Sequence, residues 1–126
     1  MSAAADVDAL RVRFEAQRAA HAREPYPSLA SRLDRLARLL ALVRERERDL
    51  VDAIDADFGH RSSHETRLAE LYIVAAGAKH AMRSLPRWMR RRKVATPVQL
   101  KPGRAYVLPQ PLGVAGIVSP WNYPVQ

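Results

Sequence analysis

An asparagine enclosed by two prolines is the residue in this chain best suited to chemistry. Asn122 lies in Pro120-Trp-Asn-Tyr-Pro124, just after the apolar run 114–118. That run is rich in β-branched residues and bounded by Gly and Pro, which predicts a buried strand of a parallel sheet. Loops after such strands bind ligands, and a carboxamide in a rigid loop can donate to a developing oxyanion. The alternative is a plain loop whose Asn side chain satisfies its own turn.

A second polar cluster, His60-Arg-Ser-Ser-His-Glu65, has two interpretations. His60 and His64 are four residues apart, but the pattern is not His-Glu-x-x-His and no third ligand follows at helical spacing. Ser62 with Glu65 three residues later is instead typical of a capping box, in which the serine is the N-cap. The cluster therefore predicts the start of a helix, and we expect no metal site.

The composition limits the possible functions. The 126 residues contain no cysteine, so they offer neither a disulfide nor a thiol nucleophile. The start, Met1-Ser-Ala-Ala-Ala-Asp6, has no basic or apolar region of a secretory signal, and no apolar run approaches the length of a membrane span. We therefore expect one modest domain of a soluble, cytoplasmic protein without a membrane partner.

The net charge of +8 is unevenly distributed along the chain. All 13 acidic residues lie at or before Glu70, whereas residues 71–126 hold nine lysines and arginines and no acid. The basic run Arg87 to Lys93 is compatible with a nucleic-acid surface. No recognised binding motif surrounds it, however, so a solvated connector is the favoured interpretation and we expect no nucleic-acid partner.

Residues 6–59 show helical periodicity. A first helix over 6–23 has a narrow apolar stripe, and Ser28 is the predicted N-cap of a second helix. The charged stretch 44–49 either continues that helix or separates it from a further one, which Gly59 terminates. The apolar positions expected on buried faces are Val7, Leu10, Phe14, Leu29, Leu33, Leu36, Leu40, Val43, Leu50, Val51, Ile54 and Phe58.

The remaining chain predicts one more helix, a hairpin and the strand with its loop. The helix runs from about Ser63 to Pro86. Two short β-like runs then flank the turn dipeptide Pro102-Gly103, which predicts a hairpin over 96–110. The apolar face expected on the helix consists of Leu68, Leu71, Tyr72, Ala75, Ala78, Met82 and Leu85.

These motifs resemble those of a known enzyme family. Pro111-Leu-Gly-Val, the apolar run and Pro120-Trp-Asn-Tyr-Pro124 are similar to the N-terminal part of NAD(P)-dependent aldehyde dehydrogenases. Asp57-Phe-Gly-His-Arg-Ser-Ser-His-Glu-Thr66 and Arg87-Trp-Met89 look like the bacterial coniferyl aldehyde dehydrogenases. The resemblance runs from about residue 29 to residue 126 and indicates an N-terminal fragment of such an enzyme.

The resemblance implies an α/β, aldehyde dehydrogenase-like fold. Residues 1–95 would be the helical N-terminal part of the cofactor-binding domain, and 96–110 a hairpin that serves as an oligomerisation element of a dimer. Residues 111–126 would supply the first strand and motif loop of a truncated, Rossmann-like NAD(P)-binding sheet. The helices are expected to pack on that sheet.

The resemblance also implies a reaction and roles for residues. The expected reaction oxidises an aldehyde, such as coniferyl or another aromatic aldehyde, to the carboxylic acid with NAD or NADP. Asn122 matches the family's oxyanion donor, and Val118, Ser119, Pro120 and Trp121 match positions that line the cofactor. Since the family's nucleophilic cysteine is absent, we expect this chain alone to be inactive and to bind no cofactor tightly. A non-catalytic helical interaction module and a basic nucleic-acid-binding fragment are the alternatives.

Overall fold

The computed structural model describes the backbone of residues 3–126 and the side chains from Asp6 onward. The chain divides into two compact units. One unit contains residues 3–28 and Arg91–Ile117, and the other contains Leu29–Arg90 and Val118–Gln126. None of the helices in the described part is both long enough and apolar enough to cross a membrane.

The unit that contains residues 3–28 combines a helix with a small sheet. Helix α1 spans Ala3–Arg23, and strands β1 (Arg92–Val94) and β2 (Ala105–Val107) pair in antiparallel register, with Lys93 opposite Tyr106. The backbone N–H of Ala105 donates to the Thr96 hydroxyl at 3.2 Å. The loop requires glycine at Gly103, because a Cβ there would lie 2.6 Å from the Leu100 carbonyl oxygen.

The hairpin predicted over 96–110 forms with a different first strand. The predicted first arm, Val98–Leu100, is a 3₁₀ turn, and the pairing strand is Arg92–Val94. Val98 and Leu100 are 75% and 65% exposed, so no apolar burial favours an extended conformation there. The Arg91 guanidinium lies 4.4 Å from the centre of the Tyr106 ring, so the basic run contributes to the hairpin and is not merely a connector.

Two predicted buried segments are exposed in this structure. The stripe of α1 stays open to solvent, with Leu10 63% and Phe14 46% exposed. Residues 114–118 form no strand, because no part of the described chain pairs with their backbone, and a strand requires such a partner. The Rossmann-like parallel sheet is therefore not confirmed, and the described sheet has two antiparallel strands.

The second unit is a helical assembly with an apolar core. It contains α2 (Leu29–Glu45), α3 (Glu47–Phe58), α4 (Ser63–Glu65), a π-helical segment (Thr66–Leu71) and α5 (Tyr72–Trp88). Helix α2 packs along α5, and α3 contacts the π-helical segment. The buried side chains Val43, Val51 and Leu71 form the core, against which Leu50, Val74 and Val125 pack.

The break between α2 and α3 is short. Only Arg46 separates the two helices, and its backbone still bonds to Leu42 and Leu50 at 2.9 Å on either side. The stretch 44–49 is therefore a brief interruption, which was one of the two alternatives that the sequence allowed. Gly59 ends α3 as predicted, in the left-handed conformation (φ 76°), and its N–H donates to the Asp55 carbonyl at 2.8 Å.

The capping box predicted at Ser62 and Glu65 does not form. Ser62 occupies the N-cap position, but its side chain makes no capping hydrogen bond. Glu65 contacts the Arg61 guanidinium at 3.4 Å, which removes the second half of the box. The helix begins at Ser63 as predicted and continues two residues past Pro86, to Trp88.

The π-helical segment changes which residues face the core. A π turn contains one residue more than an α turn and so rotates the following helix relative to the preceding one. Leu68 and Tyr72, predicted on the buried face, are 69% and 62% exposed. Thr66 and Glu70 are buried instead, at 1% and 0% exposure. Two polar side chains therefore point inward beside Leu71.

Two glycines provide a matched test of these backbone conformations. A Cβ would meet nothing within 4 Å at either Gly59 or Gly77, but only Gly59 has a positive φ. We expect Gly59→Ala to lower the free energy of unfolding by about 1–2 kcal/mol, the cost of the left-handed conformation for an L-residue. Gly77→Ala, inside α5, should raise it by roughly 0.5–1 kcal/mol. Urea denaturation of both variants checks this, and equal shifts would contradict it.

Candidate functional site

The five predicted site residues are consecutive on one exposed loop. Val118, Ser119, Pro120, Trp121 and Asn122 are all solvent-exposed, and Trp121 is 84% exposed. A turn follows, in which the N–H of Tyr123 donates to the Pro120 carbonyl at 3.1 Å. Pro120 and Pro124 each fix their own φ, which limits the conformations that the loop can adopt. The loop is thus ordered by its backbone, while its side chains face outward.

Arg61 holds this loop from the helical side. Its Nη1 donates to the backbone carbonyl of Asn122 at 2.7 Å, and its side chain is only 5% exposed. The guanidinium is also stacked between two rings, 4.8 Å from the centre of Phe58 and 4.9 Å from that of Tyr123. A charge-assisted bond combined with two cation–π contacts fixes both the cation and the carbonyl that it binds.

Glu70 balances the buried charge and binds the same loop. Its Oε1 lies 3.3 Å from Arg61 Nη2, an ion-pair contact that does not have hydrogen-bond geometry. Its Oε2 accepts a hydrogen bond from the backbone N–H of Val125 at 2.8 Å. The loop is therefore held at two backbone positions, Asn122 and Val125, by two oppositely charged side chains that contact each other. We refer to Arg61 and Glu70 as the clamp.

The clamp leaves the Asn122 amide free. Among the described residues, the Asn122 side chain makes no hydrogen bond, and only its backbone carbonyl is engaged. The open groove beside it is lined on one side by residues between Phe58 and Glu65, and on the other by Trp121, Asn122 and Tyr123. A free carboxamide on a backbone that is held in place can donate a hydrogen bond to an oxygen that binds beside it.

The sequence reasoning did not identify the clamp. Arg61 lies within a stretch that was interpreted as a helix start, without a role for Arg61 itself, and Glu70 was treated as one charge among 13. No local pattern distinguishes a buried glutamate from a solvated one when its partner lies 55 residues away. His60 and His64 both stay exposed, and no group of three or more His, Cys, Asp or Glu suited to a metal occurs among residues 6–126.

Comparison with known proteins defines the class. The sequence profile described as "Aldehyde dehydrogenase family" matches residues 1–126. The match covers all 126 residues, so this chain belongs to the aldehyde dehydrogenase family.

Three of the similar proteins are named as coniferyl or probable coniferyl aldehyde dehydrogenases. The chain is 38% identical over 120 residues to a probable coniferyl aldehyde dehydrogenase of Pseudomonas aeruginosa, covering 95% of this chain and 25% of that protein. It is 36% identical over 107 residues to the coniferyl aldehyde dehydrogenase of Pseudomonas sp. strain HR199, covering 84% of this chain and 22% of that enzyme. A probable coniferyl aldehyde dehydrogenase of Caulobacter vibrioides is also 36% identical, over 89% of this chain and 24% of that protein. The chain therefore spans about a quarter of the length of these relatives.

Proposed function

We propose that this chain acts as the N-terminal part of an NAD(P)-dependent aldehyde dehydrogenase that oxidises an aromatic aldehyde, such as coniferyl aldehyde, to the carboxylic acid. The similarity to proteins named coniferyl aldehyde dehydrogenase supports the substrate class. The observation that carries the proposal is the Asn122 side chain, which is free while its backbone is held by Arg61. The amide N–H would donate to the substrate oxygen as that oxygen gains negative charge.

We propose that the loop before Asn122 contacts one part of a nicotinamide dinucleotide. NAD(P)+, when bound, supplies the acceptor for the hydride that leaves the substrate carbon. The exposed Trp121 indole offers a flat apolar face, and the exposed backbone of Val118 and Ser119 offers polar groups beside it. Pro120 restricts the backbone between them. We propose that these four residues contact the cofactor, with no role for Arg61, whose guanidinium is already bound to Asn122 and Glu70.

We propose that the nucleophile comes from outside these 126 residues. The reaction implied by the family resemblance uses a cysteine thiolate, and the chain contains no cysteine. We therefore propose that this chain alone does not turn over aldehydes. Its contributions are the oxyanion donor, part of the cofactor surface and the hairpin.

The hairpin is proposed as the assembly element of a cytoplasmic homodimer. Its strands expose apolar side chains on both sides, with Val94 39%, Tyr106 40% and Val107 43% exposed. An exposed two-stranded edge of this kind readily pairs with another chain. Burial of these residues against a second subunit would lower that exposure.

A chimera tests the proposed function. In it, this chain replaces the matching segment of the coniferyl aldehyde dehydrogenase of Pseudomonas sp. strain HR199, with which it shares 36% identity. We expect the chimera to form NADH or NADPH from coniferyl aldehyde, and residues 1–126 alone to form none. The parent enzyme is the control for the assay. A folded chimera without aldehyde oxidation, or turnover by the 126-residue chain alone, would contradict the proposal.

A further inference from the structure

We propose that Glu70 and Arg61 are positioning residues for Asn122, an inference that rests on the proposed function. Glu70 is fully buried and does not line the groove, and Arg61, which does line it, is engaged by Glu65, Glu70 and the Asn122 carbonyl. Their effect on chemistry would therefore pass through the conformation of the loop. The clamp sets the direction of the Asn122 amide without touching substrate or cofactor.

Because the clamp is buried, its main effect is to select one conformation of the loop. Glu70 is 0% exposed and the Arg61 side chain 5%, so both charges are largely shielded from water. A buried ion pair gives little net stability compared with apolar residues of similar size, and its best-attested benefit is the selection of one conformation. Here the selected conformation is that of the Asn122 carbonyl and the Val125 N–H, at 2.7 and 2.8 Å from the clamp.

The two anchor points flank the peptide units that orient Asn122. Arg61 Nη1 binds the carbonyl of Asn122 itself, and Glu70 binds the loop three residues later. Stacking of the guanidinium on Tyr123, which lies between them in sequence, fixes the ring next to Asn122. Rotation of the 122–123 peptide would break the bond to Arg61. The side chain of Asn122 is therefore directed by contacts that its own amide does not make.

The ion pair between Glu47 and Arg67 in the same unit is exposed and does not hold the loop. Glu47 binds Arg67 Nε at 2.8 Å, but both side chains are nearly half exposed and neither contacts the loop 118–126. The pair joins α3 to the π-helical segment at the surface. Glu47→Gln therefore makes the same change of residue in an exposed ion pair of the same unit and serves as the matched control.

Amide hydrogen exchange on the 126-residue chain tests the clamp without any catalytic assay. Glu70→Gln keeps an oxygen that can accept from the Val125 N–H but removes its charge, which weakens the bond. We expect Val125 to exchange about 5- to 10-fold faster, since charge-assisted hydrogen bonds are roughly twice as strong as neutral ones. The Gly59 N–H, bonded to Asp55, should be unchanged, and so should Val125 in Glu47→Gln.

Two exchange results would overturn the proposal. Unchanged exchange of Val125 in Glu70→Gln would show that the carboxylate does not hold the loop. An equal acceleration at Val125 and Gly59 would show that Glu70 only stabilises the unit as a whole.

The chimera gives a second measurement that distinguishes positioning from general stability. Glu70→Gln should lower kcat about 10- to 100-fold, the range expected for a small misplacement of a catalytic group. The KM for NAD+ should stay unchanged, because the clamp does not touch the proposed cofactor residues. A raised KM with normal kcat would overturn the proposal. If the unaltered chimera is inactive, the proposed function fails, whereas the exchange result still decides whether the clamp holds the loop.

Discussion

Replacing Glu70 by alanine is expected to lower the free energy of unfolding by about 3–5 kcal/mol, the usual cost of leaving one member of a buried ion pair without its partner. The carboxylate is fully buried, and Arg61, which is 5% exposed, would keep as a counterion only the half-exposed Glu65 at 3.4 Å. The Val125 N–H would also lose its acceptor. Urea denaturation measures the effect, and complete loss of a cooperative transition in the variant would also agree with it.

The matched surface variant should behave differently. Glu47→Ala removes a shorter contact, 2.8 Å to Arg67, but the partners are 49% and 44% exposed. Such pairs contribute roughly 0–1 kcal/mol, because water and salt screen them. Equal destabilisation by Glu70→Ala and Glu47→Ala would show that burial of an ion pair does not determine how much its loss lowers the free energy of unfolding.

Replacing Asn122 by alanine in the chimera is expected to lower kcat about 10²–10³-fold, as loss of one oxyanion donor does. The donor acts mainly in the transition state, so KM for NAD+ should move little. Asn122→Asp should be at least as damaging, because it places a carboxylate against the developing negative charge. Steady-state kinetics with coniferyl aldehyde measures both variants.

A purely structural role for the Asn122 side chain predicts a different result. If its amide only stabilised the loop, both variants would loosen NAD+ binding and lower the melting temperature together. The turn is held by the Pro120 carbonyl and by Arg61, which bind backbone atoms that alanine retains. We therefore expect an unchanged melting temperature for Asn122→Ala, and a near-normal kcat would end the oxyanion assignment.

Helix ends were predictable from the sequence where the determining interaction is local. Gly59 adopts a positive φ that few other residues tolerate, so its position alone marks the end of α3. The start at Ser63 was predicted correctly although the predicted hydrogen bonds of Ser62 and Glu65 are absent. Glu65 has an alternative partner in Arg61, and a pattern of residue types does not reveal such competition.

Features that depend on distant partners were not predictable in the same way. Arg92 and Lys93 have no apolar pattern of their own, and they form a strand because they pair with Val107 and Tyr106. The π-helical segment buries Glu70 where a regular helix was expected to bury Leu68. The sequence indicated the loop as a candidate site, which stays a prediction, and the side chains that hold the loop lie far away in sequence.

The most direct test combines the two central residues in one kinetic cycle. The kcat of the chimera is measured for Glu70→Gln, for Asn122→Ala and for the variant with both changes. If the clamp acts through the Asn122 amide, the double variant should be no slower than Asn122→Ala alone, because no amide remains to be positioned. If the two losses instead multiply, Glu70 and Asn122 act independently, and the clamp does not position the oxyanion donor.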